Sequence, residues 1–279
     1  SGATVRSDAI LIVSGGGQLR GAIISSGGGL GVLGVASGTI VSSGGVIEVG
    51  SGGTASGTTV NGGSGYIDAG GTLSTATVEN SAIVTVSGGA SASNVTLQSS
   101  GTLSAASGAV VSGTVISSGG GLGLAGTAYD TTVNSGGVLE IASGGVAHDN
   151  TVANGGYIYA DAGSTVDTVT VSSGGTLSVA SSAAISGVVT LQNGGSTTIW
   201  DNAGGTIDLV GDTNQGLTIS GLGDGGTVTT VISGYSGTGP GNSDTINLAG
   251  VSPTGATYAY PSNDQVVVTL SNGKTITLN

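Results

Sequence analysis

The chain has 279 residues, with fifteen acidic side chains against three basic ones, a net charge of −12 at pH 7, 59 glycines, and no cysteine, methionine or phenylalanine. Arg6, Arg20 and Lys274 are too few to neutralise a phosphate backbone, which excludes nucleic acid and anionic membranes as partners. Disulfide and thiolate chemistry are closed to it, and the absence of a Gly-X-Y period excludes a collagen-like chain.

The 37% apolar content is mostly Val, Ile, Leu and Ala, enough for a core and of a kind that favours strands. No apolar run is long enough to span a bilayer, so no membrane insertion by this chain is expected, and Ser1 reads as a mature or trimmed start.

From the first residues onward one pattern dominates. An apolar residue before a Gly/Ser/Asn-rich turn recurs at Val5, Ile24, Val41, Val60, Val78, Leu97, Ile116, Val133, Val152, Val171 and Leu191, at spacings of 17 to 20 residues. Such a period marks stacked repeats, in which each unit buries its apolar face only against its neighbours. Within one unit, residues 42–60, two glycine-rich turns bracket short stretches that alternate in polarity, such as Val46-Ile47-Glu48-Val49. Alternation over so few residues predicts strands, and several glycines per unit argue against helices. The expectation is an all-β solenoid of about ten coils of 19 residues, a rod of roughly 50 Å at ~4.8 Å per coil.

A longer repeat overlays the first. Residues 25–31 and 117–123 both read SSGGGLG, an offset of 92 residues that Glu48 and Glu140 share. Two five-coil blocks related by duplication account for it, and a spacer or multivalent surface tolerates such duplication better than an enzyme does.

The unit Ser135-Gly136-Gly137-Val138-Leu139-Glu140-Ile141-Ala142-Ser143-Gly144-Gly145-Val146-Ala147 through Thr151-Val152 resembles the passenger repeats of bacterial self-associating autotransporter adhesins, the AIDA and antigen 43 type. The resemblance covers roughly residues 1–200. It implies a right-handed parallel β-helix, secretion to the bacterial surface, and adhesion, cell–cell aggregation or a biofilm matrix role. It also implies repeat serines as targets for O-linked heptose. No membrane-spanning barrel follows residue 279, a departure from the family pattern.

After Trp200 the register blurs, all three prolines (Pro240, Pro253, Pro261) appear, and six acids fall in 79 residues. This predicts a boundary near residue 205, with a solenoid over 1–204 and a C-terminal β cap over 205–279. Residues 242–251 and 265–279 read as paired strands, with Asn272-Gly273 as a two-residue type I′ turn. The segment is similar to stretches preceding secreted Hint modules, which implies processing near Asn279.

Candidate sites are few. Gly29–Gly34 and Gly121–Gly126 fit G-x-G-x-x-G, but the strand–helix context and ribose acid of a dinucleotide site are missing, so they read as repeat turns. Lys274 in Gly273-Lys274-Thr275 lacks the first P-loop glycine, because Val268 stands there. His148, the single histidine, reads as a surface residue, since the adjacent Asp149 would point to the opposite strand face. The three scattered basic residues argue against a lyase-like polysaccharide enzyme. Asp201, Asp208, Asp212 and Asp224 could offer oxygens to calcium but read as solvated turn acids. Tyr66, Tyr157 and Tyr159 flank Ile67 and Ile158, which turns them outward as possible contacts for carbohydrate or protein.

No catalytic, cofactor or metal site is therefore expected. The first coil carries nothing to blunt its unpaired edge, which raises end-to-end association beside lateral association. Two readings compete: an adhesin acting through its flank, with itself and surface glycans or matrix polysaccharide as partners, and a head-to-tail filament subunit. Acidification is expected to promote either.

Overall fold

A computed structural model describes residues 2–223, 226–236, 243–262 and 265–278. Ser1, Asp224, Pro240 and Asn279, and with them the start, one calcium candidate and the processing point, lie outside the described residues.

All the described elements are strands, and they stack into two parallel sheets of twenty and thirteen strands. Each coil lays one short strand in the smaller sheet, turns, crosses the larger sheet, and turns again. The predicted apolar column is the register of the larger sheet: Val5 pairs with Ile24, Ile24 with Val41, Val41 with Val60, and so on through Val152, Val171 and Leu191. Eleven strands of the smaller sheet, from Ile10–Val13 to Ser196–Trp200, mark about eleven turns rather than ten.

The paired glycines of each turn do two different things. Gly136 takes φ = 73°, a left-handed turn position that costs a residue with a Cβ about 1–2 kcal/mol. Gly137 has an ordinary φ, but a Cβ there would stand 2.5 Å from the Ile116 carbonyl oxygen of the coil below. The first glycine bends the chain, and the second lets one coil settle on another.

A third corner interrupts the crossing of the larger sheet. It is left-handed in successive coils at Gly38, Gly57, Thr75, Asn94, Gly113, Asp130 and Asp149. Gly, Asn and Asp suit that conformation; β-branched Thr75, at φ = 54°, does not.

Inside runs one continuous core of Val, Ile, Leu and Ala. Each fully buried Leu, Ile or Val side chain contributes about 1.5–3 kcal/mol. One inward column breaks the apolar rule: Thr39, Thr58, Thr114, Thr131 and Asn150 are buried, and their side-chain polar atoms have no hydrogen-bond partner.

The parallel stacking does not stop at residue 205. Thr206–Val210 pairs with Val188–Gln192, Leu217–Ser220 with Ser196–Trp200, and Ile246–Leu248 with Leu217–Ser220. Ile246–Leu248 thus joins the solenoid instead of pairing with the terminal hairpin. The hairpin strands Gln265–Thr269 and Thr275–Leu278 find their partners in Thr257–Ser262 and Gly226–Thr227, forming a four-stranded sheet.

The hairpin turn also differs from expectation. Leu270 N–H reaches the Lys274 carbonyl at 2.8 Å and Gly273 N–H returns to the Leu270 carbonyl at 2.9 Å, enclosing a three-residue loop. Only Gly273 has positive φ, whereas a type I′ turn needs it at Asn272 as well. Val228, Leu270 and Ile276 belong to the same buried cluster as the solenoid, so this sheet packs on the end of one core.

Candidate functional surface

Stacking turns a sequence period into surface rows, because residues one coil apart become neighbours at ~4.8 Å. On the larger sheet, Thr59, Thr77 and Thr96 are in register, and Thr132, Thr151, Thr170 and Thr190 continue the row after Val115. A second row aligns Ser37, Ser56, Ser74, Ser93 and Ser112, each half-buried. At a turn, Asn61 and Gln98 each donate an amide hydrogen to Glu79, both at 3.0 Å, and Asn80 donates to Asn61. These contacts hold side chains of adjacent coils in fixed rows.

The serine row ends in the chain's most varied chemistry. Tyr129 follows Ser112 in register and His148 follows Tyr129, their rings stacked at 4.9 Å and 10°. His148 Nδ1 lies 2.8 Å from Asp167 Oδ2, and Ser186 Oγ donates to Asp167 Oδ1 at 3.2 Å. Serine, histidine and carboxylate meet here, but in the wrong order for nucleophilic catalysis. The triad needs the imidazole between hydroxyl and carboxylate, whereas the carboxylate stands between them here, so no base faces the hydroxyl.

The partner of His148 is therefore Asp167, one coil away, and not Asp149, which occupies the left-handed corner at φ = 54°. The signal was available, since Tyr129, His148, Asp167 and Ser186 are spaced by 19 residues throughout.

Tyr66, Tyr157 and Tyr159 all sit on the outward side of the smaller sheet. Tyr157 and Tyr159 stack at 6.5 Å and 8°. Tyr66 pairs with Glu48 and Tyr159 with Glu140, so the two tyrosines occupy one row five rungs apart, about 24 Å. They do not converge on one point.

The remaining candidates separate. Gly29, Gly31, Gly121 and Gly123, expected in turns, lie instead within strands paired on both sides. No helix follows them, so the phosphate cradle of a dinucleotide site does not form. Lys274 closes the terminal hairpin loop. Asp208 accepts from Ser233 Oγ at 3.1 Å and Asp212 from Ser236 Oγ at 3.0 Å. Among the described residues no three metal-ligating side chains gather.

Compared with known proteins, the chain matches no family model and no curated relative. Among solved structures, it is similar to the hyper-glycosylated TibA55-350 fragment, whose glycosylation is TibC-catalysed. The TM-score is 0.64 at 26% identity, over 88% of this chain and 96% of that one. The likeness agrees with the resemblance to AIDA-type autotransporter adhesin passengers carried by the repeats.

Proposed function

We propose that this chain is a non-catalytic structural protein of the bacterial exterior that associates with copies of itself through the flank of its solenoid, in the manner of an adhesin. The observation that carries the reading is the set of in-register Thr and Ser rows on the larger sheet. A row repeating at ~4.8 Å presents the same hydroxyl at every rung, so two rods laid side by side can hydrogen-bond at many sliding positions.

A face four residues wide and eleven rungs long measures about 13 Å by about 50 Å, roughly 650 Å². That is somewhat below the ~800 Å² per partner of a stable interface, so single contacts are weak and strength comes from extensive overlap. The likeness to the TibA fragment supports the reading. It also brings a modification, since the outward serine row offers acceptors for glycosylation that intact-mass measurement of the natively produced chain would reveal.

Sedimentation velocity over a concentration series tests self-association. Weight-average mass rising with concentration, and falling back when Thr77, Thr96 and Thr151 are changed together to Lys, supports the flank. A monomer at all concentrations overturns it. Growth that ignores the lysines moves the contact to the rod ends, as in a filament subunit.

A further inference from the structure

Two strands of the smaller sheet carry glycine where the fold does not require it. In Gly29–Val32, Leu30 and Val32 face the core while Gly29 and Gly31 face outward; in Gly121–Leu124, Leu122 and Leu124 are inside and Gly121 and Gly123 outside. None of these four glycines has positive φ. A Cβ at Gly29, Gly31 or Gly121 would meet one side-chain carbon at 3.6–3.7 Å, and at Gly123 it would meet nothing within 4 Å. Glycine inside a strand costs stability, and without a bulge or a bend it marks a place where something approaches the backbone closely. The bare strands form the floors of two shallow, open depressions of about 630 and 250 Å³.

Strand register shows that the surroundings repeat as well. Beside each glycine pair the next coil places Val and Glu outward, Val46 and Glu48 at the first, Val138 and Glu140 at the second. The coil after that sets a tyrosine next to the glutamate, Tyr66 and Tyr159 respectively. The offset is 92 residues for the glycines and glutamates but 93 for the tyrosines, so comparison at a fixed offset misses the match. The two constellations stand five rungs apart on one face, about 24 Å.

We propose that these are two equivalent subsites for one extended polysaccharide without acidic groups. A floor of bare peptide accepts the flat face of a sugar ring, tyrosine supplies an aromatic surface with a hydroxyl, and the glutamate carboxylate accepts hydrogen bonds from ring hydroxyls or a ring ammonium. No basic residue adjoins either constellation in register, and the net charge is −12, so an acidic polymer is repelled. An added peptide strand finds no partner, because the parallel neighbours on both sides occupy the backbone groups. Two identical subsites on a line suit a ligand that repeats along its length. The inference is independent of self-association and concerns the opposite sheet.

Calorimetric titration of the dispersed full chain tests it, with three oligosaccharides long enough to reach both subsites: a neutral β-glucan, a hexosamine oligomer and an oligogalacturonate. The neutral or the amino oligomer binds and the acidic one does not; binding by the amino oligomer alone assigns Glu48 and Glu140 to an ammonium group. Gly123→Val weakens binding of the long oligomer roughly 10²-fold by removing one of two linked sites, and Gly31→Val with Gly123→Val abolishes it, with unchanged unfolding midpoints. Glu140→Gln weakens binding too, while Asp130→Asn, the same charge change on the other sheet, does not. Failure of both non-acidic oligomers to bind, equal binding of the acidic one, or indifference to the glycine variants overturns the proposal.

Discussion

Replacing Gly137 by alanine and Gly123 by alanine adds the same methyl group to the same kind of residue, yet opposite outcomes are expected. At Gly137 the new Cβ would lie 2.5 Å from the Ile116 oxygen and 2.8 Å from its carbon. The coil cannot simply retreat, because Tyr157 N–H is bonded to the Gly137 carbonyl at 3.1 Å and Val138 N–H to the Gly120 carbonyl at 3.1 Å. Overpacking of this kind costs about 1–3 kcal/mol. At Gly123 the methyl enters open space at an ordinary φ, and the stiffer unfolded chain gives a gain of about 0.4–1 kcal/mol. With a urea slope near ~3 kcal/mol/M, Gly137→Ala lowers the midpoint by about 0.3–1 M and Gly123→Ala raises it by about 0.1–0.3 M. Urea unfolding followed by far-ultraviolet circular dichroism reads both. Equal destabilisation, or a Gly137→Ala variant as stable as the parent, refutes the two roles assigned to the glycines.

Thr75→Gly relieves a β-branched residue at φ = 54° and is expected to raise stability by up to about 1 kcal/mol in the same assay, after the greater freedom of unfolded glycine is counted. Thr131→Val removes a buried hydroxyl without a partner and keeps the shape, so the midpoint should rise by the equivalent of about 1 kcal/mol; a fall would show that the hydroxyl is bonded in solution. Lowering pH from 7 to 4.5 removes part of the −12 charge, and raising salt at pH 7 screens it, so turbidity should increase in both series. A flat response to both would show that charge repulsion does not oppose association.

Most of the solenoid was legible because one physical rule writes the sequence: residues one coil apart share an environment. Val5, Ile24, Val41 and their successors had to be apolar in every coil, and their spacing became the strand register. The rest follows from where that rule lapses. Past Trp200 the coils lengthen, since Ser196–Trp200, Leu217–Ser220 and Ile246–Leu248 are stacked neighbours separated by irregular loops, and no period betrays them. The hairpin at Asn272-Gly273 contains the dipeptide of a type I′ turn, but the Leu270–Lys274 contact fixes a longer loop that the dipeptide cannot announce.

Side-chain partners were legible only when sought across the period. His148 was weighed against Asp149, its sequence neighbour, and its contact is Asp167, its coil neighbour. The outward tyrosines were found from alternation with Ile67 and Ile158. Their relation to Gly29, Gly31, Gly121 and Gly123 was not, because a coil one residue shorter shifts Tyr66 out of the fixed offset.

The central claim is that the rods meet flank to flank, and negative-stain electron microscopy of the purified chain at rising concentration, at pH 7 and pH 4.5, tests it most directly. The account predicts short rods at low concentration that gather into side-by-side bundles, more strongly at the lower pH. Long fibres one solenoid wide, growing from the rod ends, would contradict it.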